Sequence, residues 1–203
     1  MAAPQRKPRL TPDEYLEFER QSEFKHEYFD GEIFAMAGGT PQHSLVKTNV
    51  VRELSTGLKG HRCTTYDSDL RVLIEATGLY TYPDASVFCD ELRLESGRKD
   101  VAVNPTVLVE VLSASSEAYD RGKKFGHYRQ IPSLREYVLV WQEEPRVESF
   151  YKNDQGVWTL TEAAGMDAKL PLASLGVSLS LSEVFDKVVF EPVTAPPSQA
   201  SPE

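Results

Sequence analysis

Only two cysteines occur in the chain, Cys63 and Cys89, and no stretch approaches the roughly 20 consecutive apolar residues that a membrane-spanning helix needs. The start, MAAPQRKPRL, has no apolar core after its basic residues, so no secretion signal is read there. These shortages argue against a disulfide framework, a zinc site built from cysteine and a membrane protein. The two cysteines are expected as buried thiols, and a cytoplasmic location is the matching expectation.

Positive charge is also scarce. Lysine and arginine number 22 against 31 acids, a formal net charge of -9. Proteins that coat nucleic acid through a general positive field are usually basic, so any contact with DNA must be local. One segment could make it. RGKKFGHYR places Arg121, Lys123, Lys124, His127 and Arg129 within nine residues that include no acid.

What remains is ordinary for a folded domain, with 40% hydrophobic and 26% charged residues in 203. The polar residues 1–9 and the proline-rich residues 192–203 read as disordered tails around one domain over 10–191. TPDEYLEFERQ carries an N-terminal capping box on Thr11 and Glu14 with Pro12 at the first helical position. FKHEYF and EIFAMA flank Asp30-Gly31, which predicts a β-hairpin. A second helix follows Gly38-Gly39, with Val46, Val50 and Leu54 at helical spacing.

CTTYDSDLRVLIE and YTYPDASVFCD then read as two strands, and NPTVLVEVLS as a strand covered on both faces, because its apolar run has no polar alternation. SSEAYDRGKKFGHYRQIPS predicts a helix with Tyr119, Phe125 and Tyr128 inward, ending before Pro132. LREYVLVWQ follows as a buried strand, and RVESFYKN with VWTLTEA as a terminal meander. The class is α/β, a mixed sheet flanked by helices, with an N-terminal helix and hairpin and a C-terminal β-meander.

Glu110 is the chemically informative residue. A carboxylate amid Val107, Leu108, Val109, Val111 and Leu112 is costly to bury without a partner or a metal; a strand end reaching solvent or a structural arginine is the plain alternative. Asp84 follows Pro83, which suits a strand entry but equally a turn. Two carboxylates from neighbouring strands suit a hard cation such as Mg²⁺, with Mn²⁺ as a substitute.

HEYFDGEIFAMAGGTPQHS, YPDASVFC, PTVLVEVLS and DRGKKFGHYRQIPSLREYVLV, in this order, resemble the PD-(D/E)XK nucleases and most closely their Uma-type restriction-endonuclease branch. The resemblance spans roughly Leu10 to Leu160. It implies a restriction-endonuclease-like fold, with Asp84 and Glu110 as metal ligands. The lysine usual two residues after the second acid is absent, since Leu112 stands there. The resemblance places the replacement at Lys124 on the following helix, one turn after Asp120 and one turn before Tyr128; charge pattern alone would read a solvated basic face.

Glu27, within HEYFDGE, is a candidate third acid, a partner of Lys124 or a member of a cross-strand salt bridge. His43 opens the second helix, where free backbone N–H groups could receive a phosphate, although a surface histidine is the plain reading. Arg121, Lys123 and Arg129 are candidate phosphate contacts.

The expected function is hydrolysis of DNA phosphodiester bonds by a metal-activated water, with Lys124 orienting or deprotonating it. Cutting both strands calls for two sites and hence a homodimer; no organic cofactor and no membrane partner are expected. Two other readings fit: a nucleic-acid-binding or regulatory module that kept the fold without catalysis, and a metal-dependent hydrolase of small phosphate esters.

Overall fold

The capping box at Thr11 forms as the sequence predicts: the Glu14 amide donates to Thr11 Oγ1 at 3.2 Å and Glu14 Oε2 accepts from the Thr11 amide at 2.7 Å. It opens α1 (Pro12–Gln21), which packs Tyr15 and Leu16 on β1 (His26–Phe29) and β2 (Glu32–Ala35). Asp30 at φ 49° and Gly31 at φ 82° make the tight hairpin turn that Asp-Gly predicts. The structure, a computed structural model, describes residues 9–36 and 38–190. Of the expected tails only Arg9 falls within that range; it pairs with Asp30 at 2.8 Å.

The remaining elements are α2 (Pro41–Gly57), β3 (Thr64–Asp67), β4 (Arg71–Ile74), β5 (Leu79–Thr81), β6 (Ala85–Phe88), β7 (Val101–Ala102), β8 (Val107–Leu112), α3 (Glu117–Tyr119), a π-helical turn (Asp120–Lys124), α4 (Phe125–Tyr128), β9 (Glu136–Trp141), β10 (Arg146–Lys152), β11 (Trp158–Ala164), β12 (Lys169–Leu172), β13 (Val177–Ser180) and α5 (Leu181–Val184). One sheet runs β2-β1-β5-β4-β7, a second β11-β10-β9-β8-β6-β3, and β12 with β13 forms a hairpin. The meander expected at the C-terminal side is β9-β10-β11.

Two of the strands read from the sequence are each broken in two and shared between sheets. β3 and β4 part at a turn in which the Asp69 amide donates to Asp67 Oδ1 at 3.0 Å. β5 and β6 part at Tyr82-Pro83, where proline has no amide hydrogen to donate to a ladder. Asp84 therefore stands at the crossing from one sheet to the other.

β8 and β9 are parallel and joined by the helical segment 117–128, as a crossover must be. Val107, Val109 and Val111 pack with Val46, Val50 and Leu54 of α2. Leu108 and Leu112 pack on the opposite face with Phe125, Tyr128 and Tyr137. Strand alternation puts Glu110 on that second face, beneath the helical segment. No helix among the described residues is long and apolar enough to cross a membrane.

Two expectations are corrected. Cys63 and Cys89 are joined in a disulfide: β3 and β6 pair Thr64 with Phe88, so the next residues outward oppose one another. Tyr119 is 38% exposed and not inward like Phe125 and Tyr128. The π turn that follows it, closed by the Phe125 amide donating to the Asp120 carbonyl, turns Asp120 and Lys124 to the interior.

Candidate active site

Lys124 is the hub. Its Nζ lies 2.9 Å from Glu110 Oε1, 3.1 Å from Glu27 Oε1 and 3.6 Å from Asp120 Oδ1. The four residues come from three elements: Glu110 from the middle of β8, Glu27 from β1, Asp120 and Lys124 from the π turn. All are buried. Tyr128 donates to Glu110 Oε1 at 2.6 Å, Thr81 donates to Glu27 Oε1, and Tyr119 donates to Glu27 Oε2 at 3.4 Å.

Asp84 approaches from the other side of Glu110. β6 and β8 pair Ala85 with Val109, and one step further along that register Asp84 faces Glu110. Its Oδ2 accepts from the Val111 amide at 2.8 Å. His43 Nε2 lies 3.4 Å from the same oxygen and 3.0 Å from the Val111 carbonyl, so a proton there is shared between them. Gly39 makes room for this imidazole, because a Cβ at that position would sit 2.7 Å from His43 Nδ1.

The electrostatics follow from one ammonium among several carboxylates. Desolvation pulls the Lys124 pKa down, but Glu110, Glu27 and Asp120 override it and hold it well above the usual lysine value. Glu110 is pushed up to about 8, first by burial and further by the charges of Asp120 and Asp84, against the pull of Lys124 and Tyr128. Burial likewise raises Asp120. The hydrogen bond to Asp84 raises His43 against its own burial, favouring imidazolium. After Lys124 has neutralised one carboxylate, the remaining buried acids must find another partner or take up protons, and burial shifts Glu110 and Asp120 toward the protonated form.

The donor set fits a small hard cation with few protein ligands. Among the described residues no three acids, histidines or cysteines close around a common point, because Lys124 fills the space between Glu27, Glu110 and Asp120. Asp84 and Glu110 remain. The hydrogen bonds fall on Oδ2 of one and Oε1 of the other, and among the described residues no hydrogen bond reaches their second oxygens. One or two carboxylates with water completing the shell is how Mg²⁺ is commonly held.

The site therefore assembles Glu27, Asp84, Glu110, Lys124 and His43 in one region. The three residues proposed for phosphate contact divide. Lys123 and Arg129 are exposed. Arg121 is engaged, 2.9 Å from the buried Glu148 and stacked over Trp141. Sequence reasoning missed Thr81, and it read Asp120, Tyr119 and Tyr128 only for helical position. The four-residue spacing of Asp120, Lys124 and Tyr128 was a usable signal; nothing local marks Thr81, whose role arises from β1–β5 pairing.

A family model described as "Putative restriction endonuclease", Uma2, matches residues 12–182. Two uncharacterized proteins of Synechocystis sp. are similar along nearly their whole length. slr1290 is 39% identical over 183 residues, covering 90% of this chain and 95% of that protein; sll1609 is 34% identical over 168 residues, covering 83% and 95%. The crystal structure of a putative nuclease belonging to DUF820 from Anabaena variabilis superposes with a TM-score of 0.71 at 20% identity, covering 89% of this chain and 99% of that one. That likeness concerns the fold.

Proposed function

The chain belongs to the Uma2 family of restriction-endonuclease-like proteins, and from that premise we propose that it is a divalent-metal-dependent endonuclease that hydrolyses DNA phosphodiester bonds. The observation that carries the reading is the buried meeting of Glu110, Glu27 and Asp120 on one lysine, with Asp84 across the strand from Glu110.

Asp84 and Glu110 would hold Mg²⁺ or Mn²⁺, and such a cation supplies an electrophile for the phosphate and acidifies water. The Val111 amide and His43 hold the Asp84 carboxylate in place. Tyr128 and Lys124 fix Glu110. Lys124, held as an ammonium, offers a preorganised positive charge to a phosphoryl group whose negative charge grows in the transition state; it orients water or phosphate and is not a proton acceptor. Lys123 and Arg129 contact phosphates outside the pocket. A homodimer would present two such sites to the two strands.

Supercoiled plasmid incubated with Mg²⁺ or Mn²⁺ tests this. Metal-dependent nicking that vanishes in Asp84→Ala and Glu110→Ala is expected; intact plasmid at every metal concentration sinks the proposal. The engagement of Lys124 with three carboxylates favours one competing reading, a binding module without catalysis, for which salt-sensitive DNA binding without cleavage is the signature.

A further inference from the structure

Most of the site is sealed, but its mouth carries two exposed aromatic rings. β1 and β2 pair Glu27 directly with Phe34, so both side chains stand on one face of the hairpin, while Tyr28 and Ile33 face the α1 side. Glu27 turns inward to Lys124. Phe34, its neighbour across the ladder, is 48% exposed. From the opposite wall Tyr119 reaches over, its hydroxyl on Glu27 Oε2 and its ring 38% exposed. The carboxylate cluster is thus flanked by an aromatic surface on each side, and neither ring has an aromatic partner among the described residues.

Two lysines sit close in sequence to site residues. Lys123 stands exposed on the π turn beside Lys124, and Lys47, one turn after His43, points its ammonium toward Ser68 at 3.2 Å. In a chain with net charge -9, an exposed lysine adjacent in sequence to Lys124, together with two apolar rings at Glu27, supplies the ingredients of a surface that tracks a phosphate backbone while stacking its bases.

We propose that the site takes DNA whose bases are unpaired next to the scissile phosphate, with one base on Phe34 and another on Tyr119. The inference rests on the nuclease reading and specifies its substrate. A duplex keeps its base faces covered and can offer them only by unstacking or flipping, at a cost in free energy; it is also stiff. A single strand presents both base faces and can bend to bring its phosphate toward the buried Glu27, Glu110 and Lys124. Base–aromatic stacking tolerates every base, so weak sequence preference follows.

The test is anisotropy of a labelled oligothymidylate, the same strand in duplex, and the same strand with abasic sites, in Ca²⁺ buffer, against the full chain and its Phe34→Ala, Phe34→Trp, Tyr119→Ala and Tyr119→Phe variants. The wild type is expected to prefer the single strand. Phe34→Ala should weaken that binding about 5- to 150-fold, the range spanned by alanine substitution of one stacking ring, with Phe34→Trp and Tyr119→Phe near wild type. Loss of the bases should erase the difference between wild type and Phe34→Ala. In cleavage, supercoiled plasmid, which exposes unpaired segments, should be cut faster than the same plasmid linearised.

Equal affinity for single strand and duplex, or equal losses on both in Phe34→Ala, overturns the inference. So does a change of oligomeric state in Phe34→Ala by sedimentation, which would make the ring a contact between copies. If metal-dependent cleavage persists while these outcomes appear, the nuclease reading stands and the stacking surface falls; absence of both binding and cleavage removes the nuclease reading itself.

Discussion

Replacing Lys124 with methionine keeps most of the side chain's length and packing and removes its charge. The ammonium lies within 2.9 to 3.6 Å of three carboxylates, on a side chain only 6% exposed. Breaking a buried charge pair from one side costs about 3–5 kcal/mol, because the partner stays buried without compensation. Three carboxylates lose their partner here, but they share a single ammonium and can discard their own charge by taking up protons. The expected loss near neutral pH is therefore about 3–5 kcal/mol, not a multiple of it.

The sign of its pH dependence follows from Asp120. Burial raises this carboxyl even with Lys124 beside it, and loss of the ammonium raises it further. An acid with a higher pKa folded than unfolded binds more protons when folded, so stability falls as pH rises from the unfolded value through the folded one. The deficit of Lys124→Met should thus widen with rising pH and narrow in acid. Guanidinium unfolding followed by Trp141 and Trp158 fluorescence measures it, provided the transition is two-state. Adding Glu110→Gln should recover at least about 1 kcal/mol, because neighbouring charges couple. A loss below about 1 kcal/mol, the scale of an exposed ion pair, or no recovery in the double variant, refutes the idea that Lys124 compensates surplus buried acid.

Asp84→Asn keeps an oxygen for the Val111 amide, so at a pH well above the titration of His43, where no imidazolium pairs with Asp84, the metal-free variant should melt like the wild type and lose only the stabilisation by Mn²⁺, which reaches about 2.7 kcal/mol at a hundredfold excess over Kd; retained Mn²⁺ protection would remove Asp84 from the ligand set. Tyr82→Phe deletes a hydroxyl that accepts from Arg71 Nε at 2.8 Å and donates to Glu19 at 2.9 Å; Glu19 keeps the His26 amide, but the buried Arg71 Nε is left unsatisfied, and the change should cost about 1–3 kcal/mol in a denaturant titration. Lys123→Ala and Arg129→Ala should each lower the salt slope of DNA binding by about 1. Arg121→Ala should leave that slope nearly unchanged and lower the melting temperature, since this guanidinium serves the buried Glu148.

How much of this was legible depends on whether a signal was local. The capping box, the Asp-Gly hairpin and the buried β8 run are decided within a few residues, and they form as read. The splitting of two strands between sheets was not, because an extended chain that crosses from one sheet to another keeps its β-forming composition throughout; only Pro83 and the Asp67–Asp69 turn mark the crossings. The disulfide was misread for the same reason: redox habits are general, whereas the β3–β6 register that opposes Cys63 to Cys89 is particular to this fold. In the site, Glu110 announces itself as a charge in an apolar run, but Thr81 and Tyr119 gain meaning only where β1 brings Glu27 to them.

The absent lysine at position 112 is explained by the same geometry. Leu112 shares its face of β8 with Glu110 and is 2% exposed against Phe125 and Trp141, about 7 Å along the strand from it at the rise of a β-strand. A lysine there would lie beside Glu110 in the sheet and meet an aromatic ceiling. Carried instead on the π turn, Lys124 comes down over the strand and reaches β1 as well, so that one ammonium ties the hairpin's Glu27 to the central strand's Glu110. The hairpin then becomes a wall of the site, and Phe34 comes to stand at its mouth. One ammonium thus serves both the hairpin and the central strand, and Asp84, across the ladder from Glu110, is left to the Val111 amide and His43.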